Sequence, residues 1–404
     1  MTKPRTGLSA VPRTVWALGL VSMFTDVSSE IIHSLLPVFL VTGLGASVAL
    51  VGLIEGVSEA TASITKLFSG WISDRLGKRK LLVLIGYGLA TLTKPVFPLA
   101  VTPFEVMGAR FADRIGKGIR GAPRDALIAD ITPSGGRGAA YGLRQSLDTI
   151  GAFVGPLVAM GLMIALAGDI RAVFAWAVVP AMIAVVLVVI GVEEPRGVIP
   201  SARTGAPIRW ADVRDMGRRY WSIVLLGVVF TLARFSEAFL ILRAQAVGLP
   251  IALVPLVLVI MNVVYAMVAA PVGSLSDRIG RRRLLVAGLV VLLVADVVLT
   301  LAGGVTGVLV GVALWGLHLG LTQGLMASLV ADAAPAKLRA TAFGLFNLAT
   351  GLSLLAASVI AGLLWAMAGA QATFLAGAGF TLVALVGLLL FGRPPVSEPR
   401  PAAG

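Results

Sequence analysis

Ionisable side chains interrupt the long apolar stretches of this 404-residue sequence. Their spacing indicates that they bind protons or a charged solute. In the stretch 14–41, Asp26, Glu30 and His33 follow one another at i, i+4 and i+7. On an α-helix, at about 100° per residue, these three positions share one narrow stripe. Such a stripe can hold a proton, a metal cation or an organic cation, and we expect Asp26 or Glu30 to carry the proton.

A second apolar stretch, residues 48–73, also places three ionisable residues on one helical face, namely Glu55, Glu59 and Lys66. The two glutamates are further candidates for binding a proton. Lys66 could neutralise one of them, and the group would then be a structural pair rather than a functional one. The sequence leaves both interpretations open.

The stretch 221–246 carries Arg234 and Glu237 one helical turn apart, and both are candidates for proton coupling. Ionisable groups are expensive inside an apolar segment, so each of them is a functional hypothesis by default. An ion pair between Arg234 and either Glu30 or Asp26, formed across a cavity, is an attractive hypothesis that the sequence does not test.

The stretch 104–125 is the most highly charged. As one helix it places seven ionisable residues within about 140° of arc, namely Arg110, Asp113, Arg114, Lys117, Arg120, Arg124 and Asp125. Arg144 and Asp148, at i and i+4 in the next stretch, could complete a charge network with them. We predict a gating and proton-relay network, in which Asp113 is another proton-coupling candidate. An anion-binding surface and simple topology signals are the alternatives.

The composition indicates what kind of element positions these side chains. Of all residues 58% are hydrophobic and 13% are charged, with a mean hydropathy of +0.96, whereas a soluble domain has roughly a quarter charged residues. This balance excludes a water-soluble fold and intrinsic disorder. The absence of Cys excludes a disulfide scaffold and, with only two His, excludes zinc fingers, iron–sulfur clusters and c-type haem.

Twelve stretches are long enough for membrane-spanning helices, which need about 20 mostly apolar residues. They lie near residues 14–41, 48–73, 81–101, 104–125, 138–167, 171–192, 221–246, 251–275, 284–303, 306–331, 339–367 and 371–391. Strands of a membrane barrel would be about 10 residues long and would alternate in hydropathy, which these stretches do not. We expect the first helix to be retained, because no signal-peptide cleavage site follows it.

Most of the 33 Lys and Arg residues fall in loops on one side of the predicted membrane, whereas the opposite loops hold only Arg171. By the positive-inside rule, both termini are predicted to be cytoplasmic. The net charge of +13 then reflects topology in a cell (inner) membrane, and we expect no nucleic-acid partner. The excess of Arg over Lys is typical of a GC-rich bacterial genome.

The chain contains an internal repeat at an offset near 203. Gly70–Lys80 reads GWISDRLGKRK and Gly273–Arg283 reads GSLSDRIGRRR. A second match, ADITPSGGRGAAYGL against ADAAPAKLRATAFGL, has an offset of 202. We therefore predict two six-helix halves, 1–192 and 221–404, joined by a cytoplasmic linker at 193–220 and followed by a short cytoplasmic tail.

Both copies of this loop resemble the signature G-x-x-x-D-R-x-G-R/K-R/K of the major facilitator superfamily. The resemblance implies an all-α membrane protein with 12 transmembrane helices in two pseudo-symmetric halves and a substrate path between them. In that family the loop gates the cytoplasmic side. The same role is implied here for Gly70, Asp74, Arg75, Gly77, Lys78, Arg79, Gly273, Asp277, Arg278, Gly280, Arg281 and Arg282.

The fifth predicted helix adds a more specific resemblance. The run Gly151-Ala-Phe-Val-Gly155-Pro156-Leu-Val-Ala159 is similar to the G-x-x-x-G-P-x-x-G signature of proton-coupled exporters in that superfamily, although Ala159 replaces its last glycine. Gly151 and Gly155 lie one turn apart and permit close contact between helices, and Pro156 permits a bend. Generic packing of small residues is the alternative explanation.

Together these features predict a secondary active transporter, a proton-coupled exporter of small molecules that works by alternating access in the bilayer as a monomer. A divalent-cation exporter, using Asp26, Glu30 and His33, and an organic-anion carrier, suggested by the basic fourth helix, are the alternatives. The two intact loops disfavour a receptor or scaffold. An enzyme is disfavoured because the linker is too short for a domain and no Walker phosphate loop is present, and no cofactor is predicted.

Overall fold

A computed structural model describes residues 11–133, 136–194, 213–214, 216–335 and 338–391. Within these ranges every regular element is helical, and no strand is formed. This confirms the all-α fold, and such a fold suits a bilayer, because a helix satisfies its own backbone hydrogen bonds where no water is available. Most of the predicted linker and the C-terminal tail lie outside the described residues.

Six long helices form the described part of the first half: α1 (Arg13–His33), α2 (Val48–Leu76), α3 (Arg79–Thr93), α4 (Pro103–Ile131), α5 (Arg137–Ala165) and α6 (Val178–Gly191). Short helical pieces extend three of them. Leu36–Val38 and the π-helical turn Phe39–Gly43 follow α1, Val96–Leu99 follows α3, and Ile170–Trp176 precedes α6. These elements overlap the first six predicted spans and differ from them by a few residues at their ends.

The described part of the second half contains α7 (Arg218–Leu232), α8 (Leu256–Ile279), α9 (Arg281–Leu301), α10 (Val305–Ala333) and α11 (Arg339–Phe391). Ala238–Ala246 continues α7 after a break, and a 3₁₀ turn, Ile251–Leu253, precedes α8. Gly369 interrupts α11 with a φ of 82°, a conformation that glycine adopts at little cost. It separates the last two predicted spans.

Nine segments of the described chain are long and apolar enough to cross a membrane. The remaining predicted spans correspond to helices that differ from a single, long, apolar segment in ways that the structure explains. The helix α4 carries many charged residues, α7 is broken in its middle, and one apolar stretch, Thr341–Leu389, includes both arms of α11 on either side of Gly369. The helical order agrees with the prediction, and the count of twelve spans stays a prediction.

The seventh predicted helix is wrong in one respect, because the structure interrupts it between Leu232 and Ala238. The backbone N–H of Ser236 donates to the hydroxyl of Ser358 at 3.3 Å, and that of Ala238 donates to the Ser236 hydroxyl at 3.2 Å. These bonds satisfy backbone groups that the break frees. Neither glycine nor proline lies at the break, so the apolar pattern alone continues the helix through it.

Local signals explain several helix ends. The α4 helix begins with a capping box, in which Thr102 and Glu105 bond reciprocally to each other's backbone N–H groups. The α2 helix begins where the Ser47 side chain accepts a hydrogen bond, and it ends at Gly77 with a φ of 63°. Gly280 has a φ of 90° at the matching point of the second half. The backbone conformation therefore explains why glycine occupies both positions of the repeated loop, since a left-handed backbone favours glycine.

Two pairs of helices join the halves, because α2 packs along α11 and α5 packs on α8. Glycines allow the first pair to approach closely. A Cβ atom on Gly56 would lie 2.9 Å from the Cα of Leu355, and one on Gly362 would lie 2.9 Å from the carbonyl oxygen of Val48. Small residues at such positions are a common way for membrane helices to pack.

The hydrophobic core is continuous at one end of the bundle and divided at the other. At the end where α1 finishes, one buried cluster includes residues of both halves, such as Phe39 and Phe174 from the first and Phe239 and Phe374 from the second. At the end where α1 begins, the buried residues form separate clusters within each half. The space between the halves is therefore closed at the first end and accessible from the second, which the predicted topology places at the cytoplasm.

Candidate functional site

A cavity of about 480 Å³, here called the inner chamber, lies between the two halves. Helices α1, α2, α4 and α5 line it from the first half, and α7 with the break after it and α11 line it from the second. Its volume is typical of a site for a small ligand, about 300–1,000 Å³. Its charged lining residues are Asp26, Glu59, Lys66, Lys117, Arg120, Arg124, Arg144, Asp148 and Arg234.

A second cavity of about 270 Å³, here called the deep chamber, lies nearer the closed end of the bundle. Five charged residues line both chambers, namely Asp26, Glu59, Lys117, Arg120 and Arg234. The further ionisable residues of the deep chamber are Glu30, His33, Glu55, Asp113, Arg114 and Glu237. Carboxylates thus outnumber fixed cations in the deep chamber, whereas cations are the majority in the inner chamber.

A chain of ionisable contacts connects α1, α2 and α4 beside the deep chamber. Arg110 donates to both carboxylate oxygens of Glu55 at 3.0 Å, and both side chains are almost fully buried. His33 bridges two carboxylates, with Nδ1 at 3.5 Å from Glu30 and Nε2 at 3.7 Å from Glu55. Because removal of either partner of a buried pair leaves an uncompensated charge, the pair between Glu55 and Arg110 holds α2 against α4.

A second chain of contacts includes a lysine that the sequence reasoning missed. Lys94, at the end of α3, lies 3.0 Å from the Asp113 carboxylate and donates to the Ser29 hydroxyl at 3.2 Å. Arg114 lies 3.2 Å from Glu59 and 3.7 Å from Asp113. Lys94 was detectable, because it is an ionisable residue inside the predicted span 81–101.

The pairing of Lys66 with an α2 glutamate, which the sequence left open, is not formed in this conformation. Among the described residues, Lys66 makes no ion pair, and Arg110 and Arg114 of α4 pair with Glu55 and Glu59 instead. The reason is tertiary, since the α4 helix packs against α2 and brings its arginines alongside the glutamates. Intrahelical spacing alone does not reveal a partner on another helix.

A third group of contacts lies beside the inner chamber and joins α4 to α5. Asp125 lies 3.3 Å from Arg124 and 3.8 Å from Arg144, and Arg144 also pairs closely with Asp148. Arg124 donates to the Ser22 hydroxyl on α1 at 2.7 Å. The structure therefore brings the two α5 residues next to the α4 cluster as predicted, while their role in gating or proton relay stays a prediction.

Several charged side chains on the chambers have no ion-pair partner within 4.0 Å among the described residues. They are Asp26, Lys66, Lys117, Arg120, Arg234 and Glu237. The hypothetical ion pair of Arg234 with Glu30 or Asp26 is thus not formed in this conformation. Arg234 lies in the break after α7, on the opposite side of the chamber from α1.

The metal-binding alternative gains no support from the geometry. Glu30 and His33 contact each other, but His33 faces Glu55 with its other nitrogen, and Asp26 does not join them. Within the described residues, no group of three or more His, Cys, Asp or Glu side chains is arranged to hold a metal ion. Of the three residues on the predicted stripe, Glu30 and His33 contact each other, and Asp26 has no ion-pair partner among the described residues.

The small residues of the exporter-like run lie directly against α1. A Cβ atom on Gly151 would lie 2.9 Å from the Cβ of Asp26, and one on Gly155 would lie 2.5 Å from the Cβ of Glu30 and 3.0 Å from the carbonyl oxygen of Val27. Both glycines are fully buried, and Pro156 lies inside the continuous helix α5. The run therefore positions α5 against the two carboxylates that we expect to carry protons.

The two repeated loops make matching contacts at the accessible end. Arg79 pairs with Asp130 at 2.6 Å in the first half, and Arg281 pairs with Asp332 in the second. Both pairs connect the start of one helix with the end of the following one, since α3 is tied to α4 and α9 to α10. The repeat in sequence is therefore also a repeat of contacts.

Other residues of the loops have individual contacts. Arg75 lies over the Trp71 ring at 4.6 Å, Gly70 packs near Ala122, and Lys78 is exposed. Arg282 donates to the carbonyls of the last turn of α11 at 2.8 and 3.1 Å. The side chains of Asp74, Asp277 and Arg278, and the surroundings of Gly273, lie outside the described residues. The gating role of the loops stays a prediction.

Two buried ionisable residues of the second half stand apart from the chambers' networks. Asp296 on α9 is 0% exposed and accepts one long hydrogen bond from Thr381, at 3.5 Å. His318 on α10 lies with Nδ1 at 2.8 Å from the carbonyl oxygen of Gly288. The contact of His318 ties α9 to α10 and is typical of a packed histidine.

Comparison with known proteins finds one family model and a relative that both match along most of the chain. The family model described as Major Facilitator Superfamily matches residues 18–242 and 223–404. An uncharacterized MFS-type transporter of Methanocaldococcus jannaschii is 31% identical over 388 residues, which cover 94% of each chain.

Solved structures share the fold. A POT family transporter in complex with 5-aminolevulinic acid has a TM-score of 0.78 at 15% identity, covering 96% of this chain and 98% of its own. The nucleoside transporter NupG has a TM-score of 0.77 at 12% identity, covering 93% of this chain and 99% of its own. At such identities these structures show the shared architecture, and nothing about the solute follows from them.

Proposed function

The chain belongs to the major facilitator superfamily, and we propose that it is a proton-coupled secondary transporter that exports small molecules by alternating access. The two halves would rock about the chambers, which would open to one side of the membrane at a time. The continuous core at one end and the divided core at the other support this motion, because they match one of its two end states.

The observation that carries the coupling is the position of Asp26 and Glu30. Asp26 lines both chambers and Glu30 lines the deep chamber, and both stems lie against the glycines of α5. The proton affinity of a carboxyl group depends on its burial and on the charges near it. A shift of α5 against α1 would change both for these two residues, and this links proton binding to the conformation.

Asp26 and Glu30 differ in their surroundings, which gives them different tasks in the proposal. Glu30 contacts His33, and His33 contacts Glu55, which connects Glu30 to the chain of ion pairs in the first half. Asp26 has no such partner among the described residues and lines both chambers. We assign Glu30 to the coupling step and Asp26 to the exchange of the proton with the chamber.

The direction of transport rests on the resemblance of the α5 run to exporters. The divalent-cation alternative is not favoured, because Asp26, Glu30 and His33 are not assembled as ligands. The organic-anion alternative concerns the identity of the solute rather than the mechanism of transport. The charges that line the inner chamber are the observation relevant to that identity.

Inside-out membrane vesicles from cells that lack their own exporters test this function. Respiration acidifies the vesicle lumen, and a fluorescent acridine dye reports the pH gradient. We expect compounds from a broad panel of small molecules to dissipate the gradient in vesicles that contain the wild-type protein. Glu30→Gln should abolish this response at unchanged protein level, because the side chain no longer exchanges a proton.

The matched control is Glu193→Gln, since Glu193 is an exposed carboxylate beyond the end of α6 and far from the chambers. It should respond like the wild type. A Glu30→Gln protein that still dissipates the gradient at the wild-type rate would remove Glu30 from the mechanism. A compound that leaves the vesicles with the proton rather than against it would contradict export.

A further inference from the structure

We propose that the inner chamber binds a small solute that carries a doubly negative oxyanion group, such as a phosphate or a pair of carboxylates. The solute would be held between α4 of the first half and the break after α7 in the second. This inference rests on the proposed transport function, because it takes the inner chamber as the path of the transported solute.

The first argument is the balance of unpaired charges on the chamber wall. Glu59 and Asp148, two of the three carboxylates on the wall, already pair with Arg114 and Arg144. Asp26 is therefore the one lining carboxylate without an ion pair among the described residues. Four lining cations also lack one, namely Lys66, Lys117, Arg120 and Arg234. This surplus of positive charge on the chamber wall favours an anion.

The second argument is the state of Arg120. Its side chain is buried, with 6% of the residue exposed, and its Nη1 atom is shielded from solvent without a hydrogen-bond partner in the described part of the chain. The guanidinium lies 4.5 Å over the ring of Tyr87, and a ring face stabilises the cation without accepting N–H bonds in the way an oxygen does. A buried, unsatisfied guanidinium is costly. Arg120 lines both chambers, and an oxyanion there would supply the missing acceptor when the guanidinium turns toward it.

The third argument is the placement of cations on both sides. Lys117 lies one turn before Arg120 on α4 and is exposed to the chambers. Arg234 faces the chamber from the second half, and Asn347 of α11 adds an amide there. A guanidinium matches the geometry of phosphate and carboxylate oxygens with two parallel bonds. A solute held from both sides would therefore link its binding to the approach of the halves.

The fold itself does not require these cations. The α10 helix is the repeat counterpart of α4 at an offset of 202, and the residues that correspond to Lys117 and Arg120 are Leu319 and Thr322. Both halves nevertheless form the same type of helix bundle. The cations of α4 are thus additions to the architecture, and the chamber they line gives them a ligand-binding use.

Thermal unfolding of the purified full-length protein in detergent tests the inference without any gradient. The probes are inorganic phosphate, citrate and tetraphenylphosphonium, each titrated at constant ionic strength. We expect phosphate or citrate to raise the Tm by about 3 °C or more, since a ligand that binds only the folded state stabilises it. Tetraphenylphosphonium should leave the Tm unchanged.

Variants locate the effect. Lys117→Gln and Arg234→Gln should each raise the anion concentration needed for the same shift by about tenfold or more, because each removes a charged hydrogen bond. Lys117→Arg keeps the charge and should bind within a few-fold of the wild type. Arg13→Gln is the matched control, since Arg13 is exposed at the start of α1 and lies away from both chambers.

The outcomes separate this inference from the proposed function. Stabilisation by tetraphenylphosphonium alone, or anion shifts that are equal in the wild type and in both Gln variants, would overturn the inference even if the vesicles show coupled export. Anion binding that is lost in the variants would uphold it even if Glu30→Gln leaves coupling intact. Stabilisation by phosphatidylglycerol but by neither soluble anion would show that the cations bind lipid headgroups. That result would overturn the inference of a soluble anionic ligand.

Discussion

The two halves of the molecule share an architecture but differ in what their interiors contain. Each half ties its repeated loop to the end of the next helix by the same kind of pair, Arg79 with Asp130 and Arg281 with Asp332. Among the described residues, all the other ion pairs lie in the first half. The difference teaches that the fold repeats the loop contacts in both halves, whereas the network of buried ion pairs is present in one half of the described chain and is not required by the shared architecture.

The contrast is sharpest between α4 and α10, two helices of 29 residues at matching positions. Where α4 has the buried Arg110, α10 has Val312, and where α4 has Asp113, α10 has Trp315. Both α10 residues are 0% exposed. A membrane helix at this position can therefore be packed with apolar side chains, and the buried charges of α4 need an explanation other than packing.

The largest expected effect comes from breaking the buried pair of α4. Arg110→Ala should lower the free energy of unfolding by about 3–5 kcal/mol, because it leaves Glu55 buried without its cation. The matched change in the second half, Val312→Ala, should cost about 1–2 kcal/mol, since it removes only apolar contacts. Denaturant unfolding in detergent measures both. Equal costs would show that the two interiors are energetically alike.

A smaller effect is expected where α5 packs on α1. Gly155→Ala should lower the free energy of unfolding by about 1–3 kcal/mol, because the new Cβ would meet Val27 and Glu30. Ala357 lies at the matching position of α11, and Ala357→Gly should cost about 1 kcal/mol through helix propensity. If Gly155→Ala is neutral in thermal unfolding, the close contact of α1 and α5 is not a constraint.

The smallest effect is expected at the shared loop pairs. Asp130→Asn and Asp332→Asn should each cost about 1 kcal/mol or less, because these pairs are partly exposed to water. The cost should be larger for Asp130, whose pair is less exposed, and both should shrink in high salt. Unfolding at low and high salt measures this. A large, salt-independent loss in one half would break the equivalence of the two loops.

The sequence predicts the architecture well for physical reasons. Long apolar stretches dictate helices in a bilayer, and the repeat reveals two halves. The break in α7 escapes this reasoning, because Ser358 of another helix satisfies the backbone of Ser236. Such a contact depends on tertiary packing and leaves no local pattern in the sequence.

The sequence identifies the ionisable residues of the site better than it identifies their partners. Asp26, Glu30 and His33 share a stripe, but the structure turns His33 toward Glu55 on the neighbouring helix. Helical spacing gives the direction of a side chain, whereas its partner depends on which helix packs against that face. Lys94 shows the same limit, because its partners, Asp113 and Ser29, lie on two other helices.

The central claim is that proton coupling belongs to the charges of the first half. Liposomes that contain the purified protein and a pH-sensitive dye measure it directly, with a transported compound from the vesicle panel as the driving solute. Glu30→Gln should abolish proton movement driven by that compound, while Asp296→Asn, at the isolated buried carboxylate of the second half, should keep at least about half of the wild-type rate. Proton movement that persists in Glu30→Gln, or that is lost in a folded Asp296→Asn protein, would contradict the claim.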